Sequence, residues 1–135
     1  EQIREFAAQE VNGGKALLSE ALFQKRLSDI EIDLMALEFT ELRVLAAVAS
    51  GGAPGAESSL LKIKGTEIQQ AVQELAMEVA GYYQGLLPCE LGAEQVGHDF
   101  GSQARQSYMY GRAATISGGS NEVQKNIIAK AVLGL

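Results

Sequence analysis

The chain has one cysteine, one histidine, two prolines and no tryptophan in its 135 residues. A single cysteine, Cys89, rules out an intrachain disulfide and any zinc site of the CxxC kind. It suits a reducing compartment, so the cytoplasm is the expected location, with the mitochondrial matrix as the alternative. As a nucleophile Cys89 is poorly served. Its only imidazole partner, His98, lies in the same glycine-containing loop with no orienting group in view, and an ordinary loop thiol is the simpler reading. Helical bundles that hold two metal ions use Glu-x-x-His pairs on two helices. His98 stands alone, with Gln95 three positions before it, so no metal is expected. The 11 basic residues are scattered and the net charge is -6, whereas nucleic acid needs clustered Lys and Arg to neutralise phosphates. No nucleic-acid partner is expected. No window holds ~18 consecutive apolar residues, which excludes a membrane-spanning helix. Glu1-Gln2-Ile3-Arg4-Glu5 has neither the basic start nor the apolar run of a signal peptide.

What is present is small and aliphatic: 47% of residues are hydrophobic but only 6% aromatic. That is the material of packed helices, and the length fits one domain, residues 1–135, with a modest core. The opening segment, Glu1 to Gln9, reads as the end of a helix whose first part is absent; it has no capping residue and stops at Asn12-Gly13-Gly14. From about Ala21 to Ser50, Phe23, Leu27, Ile30, Leu34, Leu37, Val44 and Val48 recur on one helical stripe. Ser19 is its expected cap, and Gly51-Gly52-Ala53-Pro54 ends it. About 30 residues at ~1.5 Å each make a rod of roughly 45 Å. A second stripe, Ile32, Met35, Phe39, Leu42, Ala46 and Ala49, makes this helix apolar on two sides. Such a helix requires neighbours on both.

The pattern repeats from Gly55 to Gly85 through Leu61, Gly65, Ile68, Val72, Leu75, Val79 and Tyr82, running on to Leu86. Gly65 costs about 1 kcal/mol against Ala inside a helix, so a close helix crossing is expected there. The short Gly51–Gly55 connection makes the two long helices antiparallel neighbours. Leu86 to Gly97, with Pro88 and Gly92, reads as an irregular loop. A shorter helix over Ser102–Thr115 follows, then Ser117-Gly118-Gly119-Ser120, then a last helix over Asn121–Leu133 closing on Gly134. The expected fold is all-α, an antiparallel helical bundle lacking its first helix.

The stretch from Gly111 to Lys130 is the informative one. It reads as helix, glycine turn, helix. Gly118 and Gly119 can take positive φ and leave main chain uncovered, so a ligand can approach closely. Ser120 is a natural N-cap for the last helix, whose free N–H groups and dipole favour an anionic or carbonyl-bearing ligand. An interhelical turn with a serine cap is the plainer reading, and on these grounds alone the commoner one.

Ile116-Ser117-Gly118-Gly119-Ser120-Asn121-Glu122-Val123-Gln124-Lys125 resembles the terminal signature of the acyl-CoA dehydrogenases. The likeness continues through Asn126 to Leu135. It also takes in Ala36-Leu37-Glu38-Phe39-Thr40-Glu41-Leu42-Arg43 and Leu61-Lys62-Ile63-Lys64-Gly65-Thr66-Glu67. The resemblance implies an enzyme that oxidises an acyl-CoA thioester to the α,β-enoyl-CoA. In that chemistry a glutamate removes the α-proton and FAD accepts the β-hydride at N5. It implies a four-helix carboxy-terminal domain that supplies flavin contacts and homodimer or homotetramer contacts. By position, Ser120, Asn121 and Glu122 match residues that contact FAD, and Gly119 lies beside the thioester substrate.

Three departures accompany the resemblance. Gly118 stands where many members carry the catalytic glutamate, so no catalytic residue is assigned in this chain; a subset of the family carries that glutamate on a helix that would lie upstream of Glu1. The family's Arg-x-(Thr/Ser)-Phe-Gly segment, whose Arg reaches the flavin pyrophosphate, is replaced by Glu10-Val11-Asn12-Gly13-Gly14. The Gln-x-x-Gly-Gly flavin loop is replaced by Gly81-Tyr82-Tyr83-Gln84-Gly85. Glu122, in a helix's first turn where the dipole favours the carboxylate, reads as a cap or flavin contact rather than a base.

Other candidates have plainer roles. Glu41 lies on the Leu37–Val44 stripe and is the strongest candidate for a buried carboxylate, in a seam ion pair with Lys or Arg of a neighbouring helix. Asp29, Glu31 and Asp33 read as a solvated face. Tyr82, Tyr83, Tyr108 and Tyr110 suit interhelical packing with exposed hydroxyls more simply than an acyl pocket. The competing functional reading is a helical association module with no cofactor site. Both readings expect self-association through an uncovered apolar face.

Overall fold

The computed structural model describes residues 1–85 and 99–134. Among the described residues there are five α-helices: α1 (Gln2–Gln9), α2 (Ala21–Ala49), α3 (Glu57–Ala80), α4 (Asp99–Gly111) and α5 (Asn121–Ile128). The all-α expectation holds with one addition, a two-residue antiparallel pair formed by β1 (Val11–Asn12) and β2 (Lys15–Ala16). Gly13 and Gly14, both with positive φ, close that hairpin, as a two-residue turn between twisted strands requires. So Asn12-Gly13-Gly14 is a hairpin turn and not the stop of α1, which ends earlier, at the extended Glu10. The expected cap of α2 also shifts by one residue. Ser19 closes a 3-10 turn, and extended Glu20 offers the carbonyl that accepts the first helical N–H, from Gln24.

The chain divides into two compact units, one made of Glu1–Asp29 with Gln70–Arg112, the other of Ile30–Gln69 with the chain from Ala113 onward. The first holds most of the fully buried apolar side chains, with Phe23, Leu75 and Val79 the largest. Phe6 of α1 stacks on Phe100 of α4 with centroids 4.3 Å apart. Arg26 of α2 pairs with Glu78 of α3. Arg112, at the end of α4, lies over the Tyr108 ring and reaches α3 through Glu74 at 3.0 Å and the Gln70 carbonyl at 3.3 Å. The real close approach in this unit is at Gly101. A Cβ there would stand 2.9 Å from the Tyr83 Cβ and 3.0 Å from its carbonyl oxygen, so α4 lies against the 3-10 turn Gly81–Gly85 with no room for a side chain.

In the second unit Ile63 and Ile68 are the buried apolar residues, joined by buried Ser59 and Asn121. Leu37 of α2 faces Gly65 of α3. In each unit, then, early α2 residues meet late α3 residues or the reverse, which is the antiparallel pairing the short connection implies. The close crossing expected at Gly65 is absent: a Cβ there would meet only Leu37 Cδ2 at 3.9 Å, an ordinary contact. Glu41 is exposed, not buried; it stands beyond the half of α2 where Phe23 and Leu27 are covered. The second stripe of α2 is also open, with Ile32, Met35, Phe39 and Leu42 all largely exposed.

Gly81 takes φ +51 and ends α3, turning the chain into a 3-10 segment through Gly85. Tyr82 there is 100% exposed and Tyr110 nearly so; neither packs between helices in this chain. The expected loop from Leu86 to Gly97, with Cys89 and the adjacent His98, lies outside the described residues. α4 begins three residues before the expected Ser102 and passes into a 3-10 turn, Arg112–Thr115. α5 widens into a π turn, Ala129–Leu133, and ends on left-handed Gly134.

Candidate functional site

The turn between Thr115 and α5 has the properties its sequence calls for. Gly118 and Gly119 both take positive φ, +70 and +92, where a Cβ would be strained. A Cβ on Gly118 would meet nothing within 4 Å, and on Gly119 only the Gln124 side-chain amide. Ile116 and Ser117 before them are exposed. The main chain is therefore open to a ligand at both glycines, and the one obstructing group is the mobile end of a long side chain.

Ser120 caps α5. It is extended (φ -62, ψ 155), and its Oγ accepts the Val123 N–H at 3.3 Å, meeting one of the donors that a helix start leaves without partners. Glu122 is exposed in the first turn. Its carboxylate accepts from its own backbone N–H and from the Ser120 hydroxyl, and these bonds, with Lys125 and Lys62 nearby, hold it below the usual glutamate range. A carboxylate so stabilised is a weak base, in line with a capping or ligand-contact role.

Asn121 differs from its two neighbours. It is 6% exposed, and its side chain turns toward α3. Lys62 Nζ donates to Asn121 Oδ1 at 2.8 Å. Thr66 Oγ1 lies 3.2 Å from Asn121 Nδ2 and 2.9 Å from the Ile63 carbonyl. A hydroxyl has one hydrogen, and the shorter bond to the carbonyl takes it, so Thr66 accepts from the Asn121 amide. Lys62 also donates to the Ala114 carbonyl at 3.2 Å. Lys62 and Thr66 do not stand out in the sequence. The available signal is a polar pair four residues apart on the flank of an apolar helical seam.

A second region, in the other unit, answers to the hairpin departure noted in the sequence. A cavity of about 590 Å³ is lined by Glu10, Val11, Glu20, Glu78, Tyr82 and Tyr83 among others, with no Lys or Arg in its lining. Glu78 is paired with Arg26, and the further carboxylates of Glu10 and Glu20 make the cavity a poor place for a pyrophosphate. Of the three places where the resemblance puts flavin contacts, the glycine turn has open main chain, while the hairpin and the Gly81–Gly85 segment share a cavity lined by carboxylates.

No described helix is long and apolar enough to cross a membrane. Comparison with known proteins gives a consistent answer. Residues 1–133 match the family model described as acyl-CoA dehydrogenase, C-terminal domain. Acyl-CoA dehydrogenase IpdE1 of Mycobacterium tuberculosis is 32% identical over 120 residues, 89% of this chain and 28% of that protein. The crystal structure of the ChsE4-ChsE5 complex from Mycobacterium tuberculosis superposes with a TM-score of 0.74 at 30% identity, over 98% of this chain and 33% of that one. The Tcur3481-Tcur3483 steroid ACAD has the same fold, with a TM-score of 0.74 at 24% identity over 99% of this chain and 33% of that one. The chain thus spans about a third or less of the relatives it matches. With its paired α2 and α3, its capped glycine turn and a family match over nearly its whole length, the chain belongs to the acyl-CoA dehydrogenases, as a carboxy-terminal domain.

Proposed function

We propose that the chain is the carboxy-terminal part of an FAD-dependent acyl-CoA dehydrogenase. Its contribution is the turn: Ser120, Asn121 and Glu122 present the start of α5 to the flavin, and Gly119 gives the thioester of an acyl-CoA an open main-chain edge. The observation that carries this reading is the uncovered, positive-φ main chain at Gly118 and Gly119. When bound, FAD supplies the acceptor for the β-hydride in α,β-dehydrogenation. Of the three contacts, Asn121 offers main chain, because its side chain is committed to Lys62 and Thr66.

The base that removes the α-proton comes from outside this turn. Gly118 has no side chain, and the hydrogen bonds on the Glu122 carboxylate favour its charged form. The open stripe of α2 supports assembly, as a homodimer or homotetramer or with a related subunit that carries the base. The acidic hairpin cavity means that cations for the flavin pyrophosphate also come from elsewhere.

The test is a visible spectrum of the purified full-length protein, before and after anaerobic addition of acyl-CoA. Bound flavin that is bleached by the thioester is the expected result. A colourless oligomer that takes up no added FAD would instead establish the second reading, a helical association module, which the exposed α2 stripe and the carboxylate-lined hairpin cavity favour. Turnover by residues 1–135 alone would overturn the placement of the base elsewhere.

A further inference from the structure

We infer that Lys62 is a positioning residue, and that its ammonium holds the Gly118–Gly119 turn in the open geometry on which the proposed flavin and thioester contacts rest. One ammonium bridges both ends of the turn. It donates to the Ala114 carbonyl on the entering side, at 3.2 Å, and to Asn121 Oδ1 on the leaving side, at 2.8 Å. Between these anchors Ile116, Ser117, Gly118 and Gly119 are all exposed, and the space around a Gly118 Cβ is empty. Two adjacent glycines have more conformational freedom than any other residue pair. A segment of that kind, with little side-chain cover beyond the Gln124 amide near Gly119, keeps one conformation when its ends are held.

Lys62 does this with help from Thr66, one helical turn along α3. Thr66 accepts from the Asn121 amide nitrogen, which leaves the Asn121 oxygen facing Lys62. The pair therefore orients Asn121 as well as fixing its position, and Asn121 is the first residue of α5. Each bond to an ammonium is stronger than its neutral counterpart. Losing Lys62 would leave a carbonyl and an amide oxygen without their shared donor in a partly buried place. The charge has a second effect: it lies close enough to Glu122 to favour that carboxylate's ionised form.

Lys62→Met keeps the length and the apolar stem of the side chain and removes the donor. Lys62→Arg keeps the charge and the donors. Amide hydrogen exchange on the folded chain reads the turn directly and needs no flavin. For Lys62→Met, exchange at the hydrogen-bonded amides on either side of the turn, Ile116 and Ser117 before it and Val123 and Gln124 after it, is expected to quicken by about tenfold or more, as loss of a charged hydrogen bond implies, while amides in the interior of α2 and α4 stay as they were. Lys62→Arg is expected to recover most of the protection. Unchanged turn amides in Lys62→Met, or an equal rise throughout the chain, would overturn the inference. A parallel FAD titration separates it from the functional proposal: if the wild type binds no flavin yet Lys62→Met loosens the turn alone, the positioning role stands and the flavin reading falls.

Discussion

Ser120 and Glu122 act as one small unit at the start of α5, and their chemistry makes two predictions at the scale of single residues. The Ser120 hydroxyl donates to the Glu122 carboxylate while its oxygen accepts the Val123 N–H. Ser120→Ala should cost about 1 kcal/mol in a denaturant titration, the usual loss for a helix cap, and should move the Glu122 pKa, followed by NMR, back up toward the ordinary glutamate value. The pH dependence has a definite sign. The folded pKa of Glu122 lies below its unfolded one, so its contribution is complete above the unfolded pKa and lost as pH falls through the folded value. Protection of the first α5 amides should therefore weaken only in acid, below the usual glutamate range, and stay flat near neutrality. An elevated Glu122 pKa would contradict the bonding described. The turn and its cap were legible in the sequence because glycine pairs and a serine before a polar-apolar helix carry their meaning locally. The inward turn of Asn121 was not, since the partners that claim it, Lys62 and Thr66, lie more than fifty residues away.

At the scale of elements, two glycines reverse the roles their positions suggest. Gly65 lies inside α3 with room for a methyl group, at 3.9 Å from Leu37 Cδ2. Gly65→Ala should stabilise the chain by about 0.5–1 kcal/mol, through helix propensity and a less flexible unfolded chain. Gly101, near the start of α4, has backbone of Tyr83 where its Cβ would go. Gly101→Ala should destabilise by about 1–3 kcal/mol, the range for forcing a methyl group into a filled place. Thermal or urea melts of the two variants check both signs. The sequence suggests Gly65 because it interrupts a stripe, a pattern visible along one helix. It does not suggest Gly101, whose constraint comes from a 3-10 turn in another segment. Periodicity likewise placed α2 and α3 within a few residues, but could not show that coverage of the first α2 stripe fades after Leu27 and leaves Glu41 in solvent. The burial of a stripe depends on what lies opposite it.

At the scale of the whole molecule, α2 is a helix built for two partners with one side left open. Phe39 is 63% exposed and Ile32 and Met35 are similarly open, a contiguous apolar surface of the kind that marks interaction sites. Met35→Lys with Phe39→Lys should lower the mass seen by light scattering while helicity by circular dichroism is unchanged. A chain that is already monomeric at high concentration would contradict this use of α2. The proposed assembly and the proposed chemistry meet in the glycine turn, where the main chain is bare. The most direct measurement is therefore an FAD titration of the full-length protein with a Gly119→Val variant beside it. The wild type should bind flavin with a shifted spectrum, and the variant, still helical, should lose most of that binding. Equal affinity and an unchanged spectrum in the two would show that no ligand approaches the turn.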